Sequence, residues 1–244
     1  MAGHTRSGPS NLVLTILGVV VLASAVFAVF ANKIHADQAP TSPLRTSGLP
    51  ATISTSTANL MGLTKLPARA VDDFVLTDQR GRTMSLDSFK GRTVVLEFMD
   101  PHCTDICPIV SQEFVDAYHD LGKAAHNVVF LAVNVNKFHT SVAAMSSYSQ
   151  AHLLSTIPTW HFFTGSVRSL AAVWHAYNID VIAPGPNADI IHTSIVYFID
   201  PTGHERYAAF PTDEHTASGK AFLPVDQIAT WGHGIALVLQ GLSH

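Results

Sequence analysis

Strand and helix patterns alternate along the chain from Val71 onward, and this alternation narrows the available folds more than any other feature. Residues 128–133 form a continuous apolar run, as expected of a strand buried in a parallel sheet. Further strands are predicted at residues 93–99, 160–163 and 194–199. Helices are predicted at residues 108–123, 141–153, 167–177 and 224–242. Alternating strands and helices predict a three-layer α/β domain.

Two hairpins complete this pattern. Residues 74–77 and 82–84 flank a turn that contains Gly81, and Ser85 then stands where it can cap a brief helix. The late strand at residues 194–199 is followed by an Asp-Pro-x-Gly turn and a return strand. The sequence therefore predicts antiparallel additions to an otherwise parallel sheet.

The only two cysteines, Cys103 and Cys107, stand between the predicted strand 93–99 and the helix that contains Pro108. Four residues are about one helical turn, so on a helix both sulfurs lie on one face. The N–H groups at a helix amino terminus favour the thiolate, which is both a nucleophile and a metal ligand. The pair can therefore close on itself, exchange disulfides with other proteins, or bind a soft metal ion. A dithiol at a strand-to-helix junction predicts the thioredoxin fold within the α/β class.

Composition excludes nucleic-acid-binding proteins, disulfide scaffolds and four-thiolate zinc proteins. The formal net charge of −4 leaves no basic surface for nucleic acid, so no nucleic-acid partner is expected. Two cysteines are too few for a disulfide scaffold or a four-thiolate zinc site. The dithiol is therefore interpreted as a functional site.

Glu97 lies six residues before Cys103, at the position of the buried carboxylate that assists proton movement in thioredoxins. Desolvation in an apolar strand would raise the pKa of Glu97. The alternative is a carboxylate at a strand edge in contact with water. A buried Glu97 favours a thiol-disulfide oxidoreductase that uses Cys103 and Cys107 to reduce client cysteines.

Residues 98–108, Phe-Met-Asp-Pro-His-Cys-Thr-Asp-Ile-Cys-Pro, resemble the copper-site segment of the Sco/SenC family. The family pattern has His before the first Cys, Asp within the loop and Pro after the second Cys; His102, Asp105 and Pro108 match it. The family also has a distant histidine at the start of a late strand, and His192 fits that place. The resemblance extends over most of residues 71–240.

The resemblance implies a thioredoxin-like, membrane-anchored copper chaperone for cytochrome c oxidase. It implies a site for Cu(I) or Cu(II) made of the Cys103 and Cys107 thiolates and the His192 imidazole, ligands that suit copper. Asp105 is then a group near the site and not a ligand. The implied client is the copper-site subunit of a terminal oxidase. A thiol-disulfide reductant is a further implied partner, because Cu(I) loading requires the reduced dithiol.

One segment departs from the family pattern. Family members usually carry an Asp-Pro-x-x-Asp-Thr-like stretch after the strand that follows the Cys helix. Residues 134–140 read Asn-Val-Asn-Lys-Phe-His-Thr and lack both aspartates. This departure leaves the identity of the client open.

Residues 12–31 form an apolar run without a charged residue. Roughly 20 such residues are the length that crosses a bilayer. The run therefore predicts an uncleaved transmembrane anchor behind a short tail of residues 1–11. A secretory signal peptide is the alternative. Residues 32–67, rich in Ser, Thr and Pro, predict a flexible linker to a domain at residues 68–244. We therefore expect a single-pass protein of the cell membrane with this domain on the extracytoplasmic side.

Overall fold

A mixed β-sheet forms the centre of the computed structural model, which describes residues 48–243. In chain order the strands are β1 (Thr64–Ala70), β2 (Val75–Thr77), β3 (Thr83–Ser85), β4 (Thr93–Met99), β5 (Val128–Asn134), β6 (Trp160–Phe163), β7 (Val181–Ile182), β8 (Ile191–His192), β9 (Val196–Ile199), β10 (His204–Ala209), β11 (Glu214–His215) and β12 (Ala221–Phe222). The α-helices are α1 (Thr55–Leu60), α2 (Ile106–Leu121), α3 (Val142–Ala151), α4 (Val167–Ala176) and α5 (Val225–Leu242).

The six-stranded sheet has the strand order β1-β10-β9-β4-β5-β6. Strands β4, β5 and β6 are parallel, whereas β9, β10 and β1 are antiparallel additions. The predicted hairpins are confirmed as β2–β3 and β9–β10. Every residue of β4 and β5 is buried, which agrees with their central place in the sheet.

Alternating side chains of β4 enter two different apolar cores. Val95 and Met99 pack with α2 and α5 on one face, and Leu96 and Phe98 pack with α4 on the other. Glu97 lies between Val95 and Met99 in the alternation, so its side chain enters the α2 and α5 face. Helices cover both faces of the sheet, and the predicted three-layer α/β architecture is confirmed.

Helices α2 and α5 pack closely because Gly232 carries no side chain. A Cβ atom at Gly232 would lie 2.6 Å from the Cβ of Asp116 and 3.0 Å from the carbonyl oxygen of Glu113. The close packing fixes α2, the helix that contains Cys107, against the sheet.

The flexible linker predicted for residues 32–67 is wrong where the structure describes it, because α1 and the start of β1 lie inside it. The Ser54 side chain caps α1 by accepting a hydrogen bond from the Thr57 N–H, and Met61 and Leu63 are buried in the core. The domain boundary predicted at residue 68 is therefore too late. The apolar residues here are too few, and β1 too exposed, to produce a recognisable period.

The tail at residues 1–11, the anchor predicted at residues 12–31 and linker residues 32–47 lie outside the described residues. Within residues 48–243, none of the helices combines the length and the apolar character needed to cross a membrane.

Candidate metal centre

Cys103 and Cys107 lie at the junction of β4 and α2, as predicted, but only Cys107 belongs to the helix. Cys103 is in the loop between Met99 and Ile106, so the two residues do not share a helical turn. The loop instead folds back, and the Cys107 N–H donates a hydrogen bond of 3.4 Å to the Cys103 Sγ. Both cysteines are free thiols.

The buried Asp100 organises this loop. Its Oδ1 accepts hydrogen bonds from the His102 N–H at 2.8 Å and the Asn136 Nδ2 at 2.9 Å. Its carbonyl oxygen accepts a hydrogen bond from the Cys103 N–H at 3.1 Å. An Asp that bonds to the backbone two residues ahead is typical of tight turns. Sequence reasoning missed this role, although the Asp-Pro dipeptide is a turn signal.

The surroundings of the two thiols shift their pKa values in opposite directions. A hydrogen bond from the Cys107 thiol lowers the pKa of Cys103 and outweighs the opposing effect of burial. The same hydrogen bond, together with burial, raises the pKa of Cys107 well above its ordinary value. Cys103 is therefore the first of the two to become a thiolate.

This asymmetry predicts unequal alkylation of the reduced protein. Cys103 is half-buried with a lowered pKa, whereas Cys107 is 2% exposed with a raised one. We expect iodoacetamide to modify Cys103 at least about tenfold faster than Cys107, as measured by peptide mass spectrometry. In Cys103→Ser, the remaining thiol should react slowly until the protein is unfolded. Equal rates in the native protein would contradict this assignment.

His192 ends β8, which pairs with β7 in a separate two-stranded sheet. Its Nδ1 lies 2.9 Å from the Thr193 carbonyl oxygen, an acceptor, so Nδ1 carries the proton and Nε2 keeps its lone pair. Burial lowers the pKa of His192, and the hydrogen bond to Thr193 only partly opposes this shift. His192 is therefore a neutral imidazole whose Nε2 can bind a metal.

Cys103 and His192 line one cavity of about 1110 Å³. The cavity lies at the carboxyl end of β4, beside the loops that follow β5 and β7. The structure thus places the sequence-distant His192 on the same cavity as Cys103, whereas Cys107 is not among the residues that line it.

The three implied ligands do not close to metal-binding distances in the structure. Within residues 48–243, the one group of three or more potential ligands whose atoms lie within 4.8 Å of one another is Asp105, Asp213 and His215. Direct coordination by both sulfurs and the imidazole would therefore require these groups to move closer together. The ligand set remains a prediction.

The other residues of the predicted site have distinct surroundings. Asp105 precedes α2 without capping it, and its exposed carboxylate lies 3.4 Å from the His215 Nε2. The His102 ring stacks on the His139 ring with centroids 3.7 Å apart. Pro108 lies in the first turn of α2, where its missing N–H is tolerated.

Glu97 is buried, so the alternative of a carboxylate in contact with water at a strand edge is wrong. Its Oε2 has no hydrogen-bond partner within the described residues. Burial raises the pKa of Glu97 well above its ordinary value, and the neighbouring Glu113 raises it further. The charge of Glu97 also contributes to the raised pKa of Cys107. Sequence reasoning did not single out Glu113.

Sco proteins are among the curated proteins that this chain resembles. The mitochondrial SCO2 homolog of Bos taurus is 30% identical over 139 residues, which are 54% of this chain and 50% of that protein. The chain thus spans about half the length of such relatives.

Solved structures confirm the thioredoxin-like fold of Sco proteins. ScoI of Bradyrhizobium japonicum with copper bound has a TM-score of 0.55 and 21% identity, covering 71% of this chain and 99% of that one. Apo Sco1 of Thermus thermophilus has a TM-score of 0.56 and 21% identity, covering 73% of this chain and 95% of that one. These likenesses establish the fold.

The family model described as SCO1/SenC matches residues 64–220, which is more than half of the chain and includes both cysteines and His192. The match begins at the first residue of β1 and ends just before β12, so it covers all six strands of the central sheet but neither α1 nor α5. This chain belongs to the SCO1/SenC family.

Proposed function

We propose that this protein binds copper through Cys103, Cys107 and His192 and delivers it to the copper-site subunit of a terminal oxidase during cytochrome c oxidase assembly. Copper is the cargo in this proposal. Residues 12–31 would hold the domain at the extracytoplasmic face of the cell membrane. Family membership supports this function, and a relative with the same fold was solved with copper bound.

One observation carries the proposal. A neutral imidazole, with Nδ1 fixed on a carbonyl and with no partner for Nε2 among residues 48–243, lines the same cavity as the thiol of lowered pKa. A ligating histidine typically donates its other ring N–H to a carbonyl or carboxylate, which fixes the ring for the metal. Two thiolates and one imidazole form a donor set that favours copper, with the thiolates selecting Cu(I).

The test is Cu(I) binding by the reduced protein in competition with a chelator. We expect one copper per domain. Residues that only orient a metal ligand typically change metal affinity by about 10–100-fold when they are replaced. Because His192 would be a direct ligand, Cu(I) affinity should fall by more than about 100-fold in His192→Ala. His175→Ala, which changes an exposed histidine on α4, is the matched control and should bind as the wild type does. Unchanged affinity in His192→Ala would exclude the three-ligand site.

A thiol-disulfide oxidoreductase is the second candidate, and the buried Glu97 favours it. The charge of this buried carboxyl group contributes to the raised pKa of Cys107, so Glu97 can influence the protonation of that thiol during disulfide exchange. The two functions are compatible, since Cu(I) loading requires the reduced dithiol. A disulfide-reduction assay separates them: an oxidoreductase should fail with Cys103→Ser and tolerate His192→Ala.

A further inference from the structure

We infer that His139 is a positioning residue that joins the cysteine loop to the hairpin loop that leads to His192. The contacts that make this connection are present in the chain without copper. Its consequence for copper rests on the proposed function.

The His139 side chain contacts both halves of the candidate site. Its ring stacks on the His102 ring at a centroid distance of 3.7 Å and an interplanar angle of 25°. Its Nε2 donates a hydrogen bond of 3.2 Å to the Pro186 carbonyl oxygen. His102 is the neighbour of Cys103, and Pro186 lies in the loop between β7 and β8. One imidazole therefore joins the cysteine loop to the loop between β7 and β8.

Buried asparagines hold His139 in this place. The Asn136 Oδ1 accepts a hydrogen bond from the His139 N–H at 3.2 Å, and the Asn134 Nδ2 donates one to the His139 carbonyl oxygen at 3.0 Å. The Asn136 Nδ2 also donates to the Asp100 Oδ1 at 2.9 Å. Because Asp100 organises the cysteine loop, the backbone around His139 and that loop form one hydrogen-bonded unit.

The hairpin that carries His192 is short, and its partly buried Val181 and Ile190 pack against the apolar core. Strands β7 and β8 have two residues each and form a sheet separate from the central one. Isolated two-stranded hairpins are marginally stable in water. Within residues 48–243, the His139–Pro186 hydrogen bond is the one that joins residues 183–190 to the rest of the domain. Its loss should let that loop move and spread the positions that His192 samples.

His139 belongs to the segment, residues 134–140, that departs from the family pattern. Asn134, Asn136 and His139 all lie in that segment. The connection is therefore made by residues of this chain that the usual family pattern does not specify.

Amide hydrogen exchange of the reduced, copper-free protein tests the connection directly. His139→Phe keeps a flat ring but removes the donor, whereas His139→Gln keeps a donor of similar reach. We expect exchange in residues 183–193 to be about three- to tenfold faster in His139→Phe, the range for one lost hydrogen bond, and mostly restored in His139→Gln. His126→Phe is the matched control. His126 also contacts a backbone carbonyl, that of Lys123. It lies before β5, at the opposite end of that strand from His139, so its replacement should leave exchange in residues 183–193 unchanged.

Copper binding tests the positioning role. Cu(I) affinity should fall about three- to tenfold in His139→Phe at unchanged stoichiometry and recover in His139→Gln. Unchanged exchange in His139→Phe overturns the inference whatever copper does. Faster exchange with unchanged or tighter copper binding overturns the positioning role. Failure of the proposed function has another signature, namely His192→Ala binding copper normally while the exchange result stands.

Discussion

Replacing Asp78 by Ala is expected to lower the free energy of unfolding by about 3 kcal/mol, because two backbone N–H groups, the Arg82 guanidinium and the buried His161 lose a shared acceptor. Asp78 is fully buried in the turn of the β2–β3 hairpin, where it faces His161 of β6. Its Oδ1 accepts the N–H groups of Arg80 and Arg82, and its Oδ2 accepts the Arg82 guanidinium at 2.7 Å and contacts the His161 Nδ1 at 3.2 Å. Thermal unfolding should show a melting temperature lower by about 6–12 °C.

The pH dependence of this contribution has a definite sign. Burial by itself raises the pKa of Asp78, but hydrogen bonds from Arg82 and His161 outweigh it and hold the pKa below its ordinary value. The stabilisation is therefore present above the ordinary pKa of about 4 and is lost as the pH falls through the folded-state pKa. Asp87→Ala, which removes an exposed ion pair with Lys90, is the control and should cost less than about 1 kcal/mol. Equal losses in the two variants would contradict this role for Asp78.

Replacing Glu97 or Glu113 by Gln is expected to stabilise the protein at alkaline pH. Both carboxyl groups are buried, and the Oε2 of each lacks a hydrogen-bond partner within the described residues. Burial raises the pKa of each well above its ordinary value; backbone N–H groups of Phe98 and Ile195 only partly oppose this for Glu97. Ionising either group in this interior is costly because the charge has no partner.

For a carboxyl group with a raised pKa, the folded state binds more protons than the unfolded state. Its stabilisation is complete below the unfolded pKa of about 4.5 and is lost as the pH rises through the folded-state pKa. Urea unfolding should show that the wild type has a lower free energy of unfolding at pH 8 than at pH 5. In each Gln variant this decrease should be smaller by about 1–3 kcal/mol. Glu214→Gln, at an exposed position, should follow the wild type. A wild type equally stable at both pH values would contradict the assignment.

The fold was largely predictable because its signals are local. The apolar run of β5 and the alternation of strands and helices require only neighbouring residues to be read. The amino-terminal part of the domain was missed for the same reason: α1 has six residues, and β1 lies at the sheet edge with mostly exposed side chains. Their place depends on pairing with β10 and packing on α5, which no local pattern shows.

For the site, the sequence by itself determined the chemistry: two thiols after a strand, a carboxylate six residues earlier, and a histidine that only the family resemblance distinguished. The tertiary structure alone decided which groups surround them. It placed His192 and Cys103 on one cavity, buried Glu97 beside Glu113, and brought His139 between His102 and Pro186. The reason is physical. Residue type sets what a group can donate, accept or ligate, whereas desolvation and hydrogen-bond partners come from residues distant in the chain and exist only once the sheet has formed.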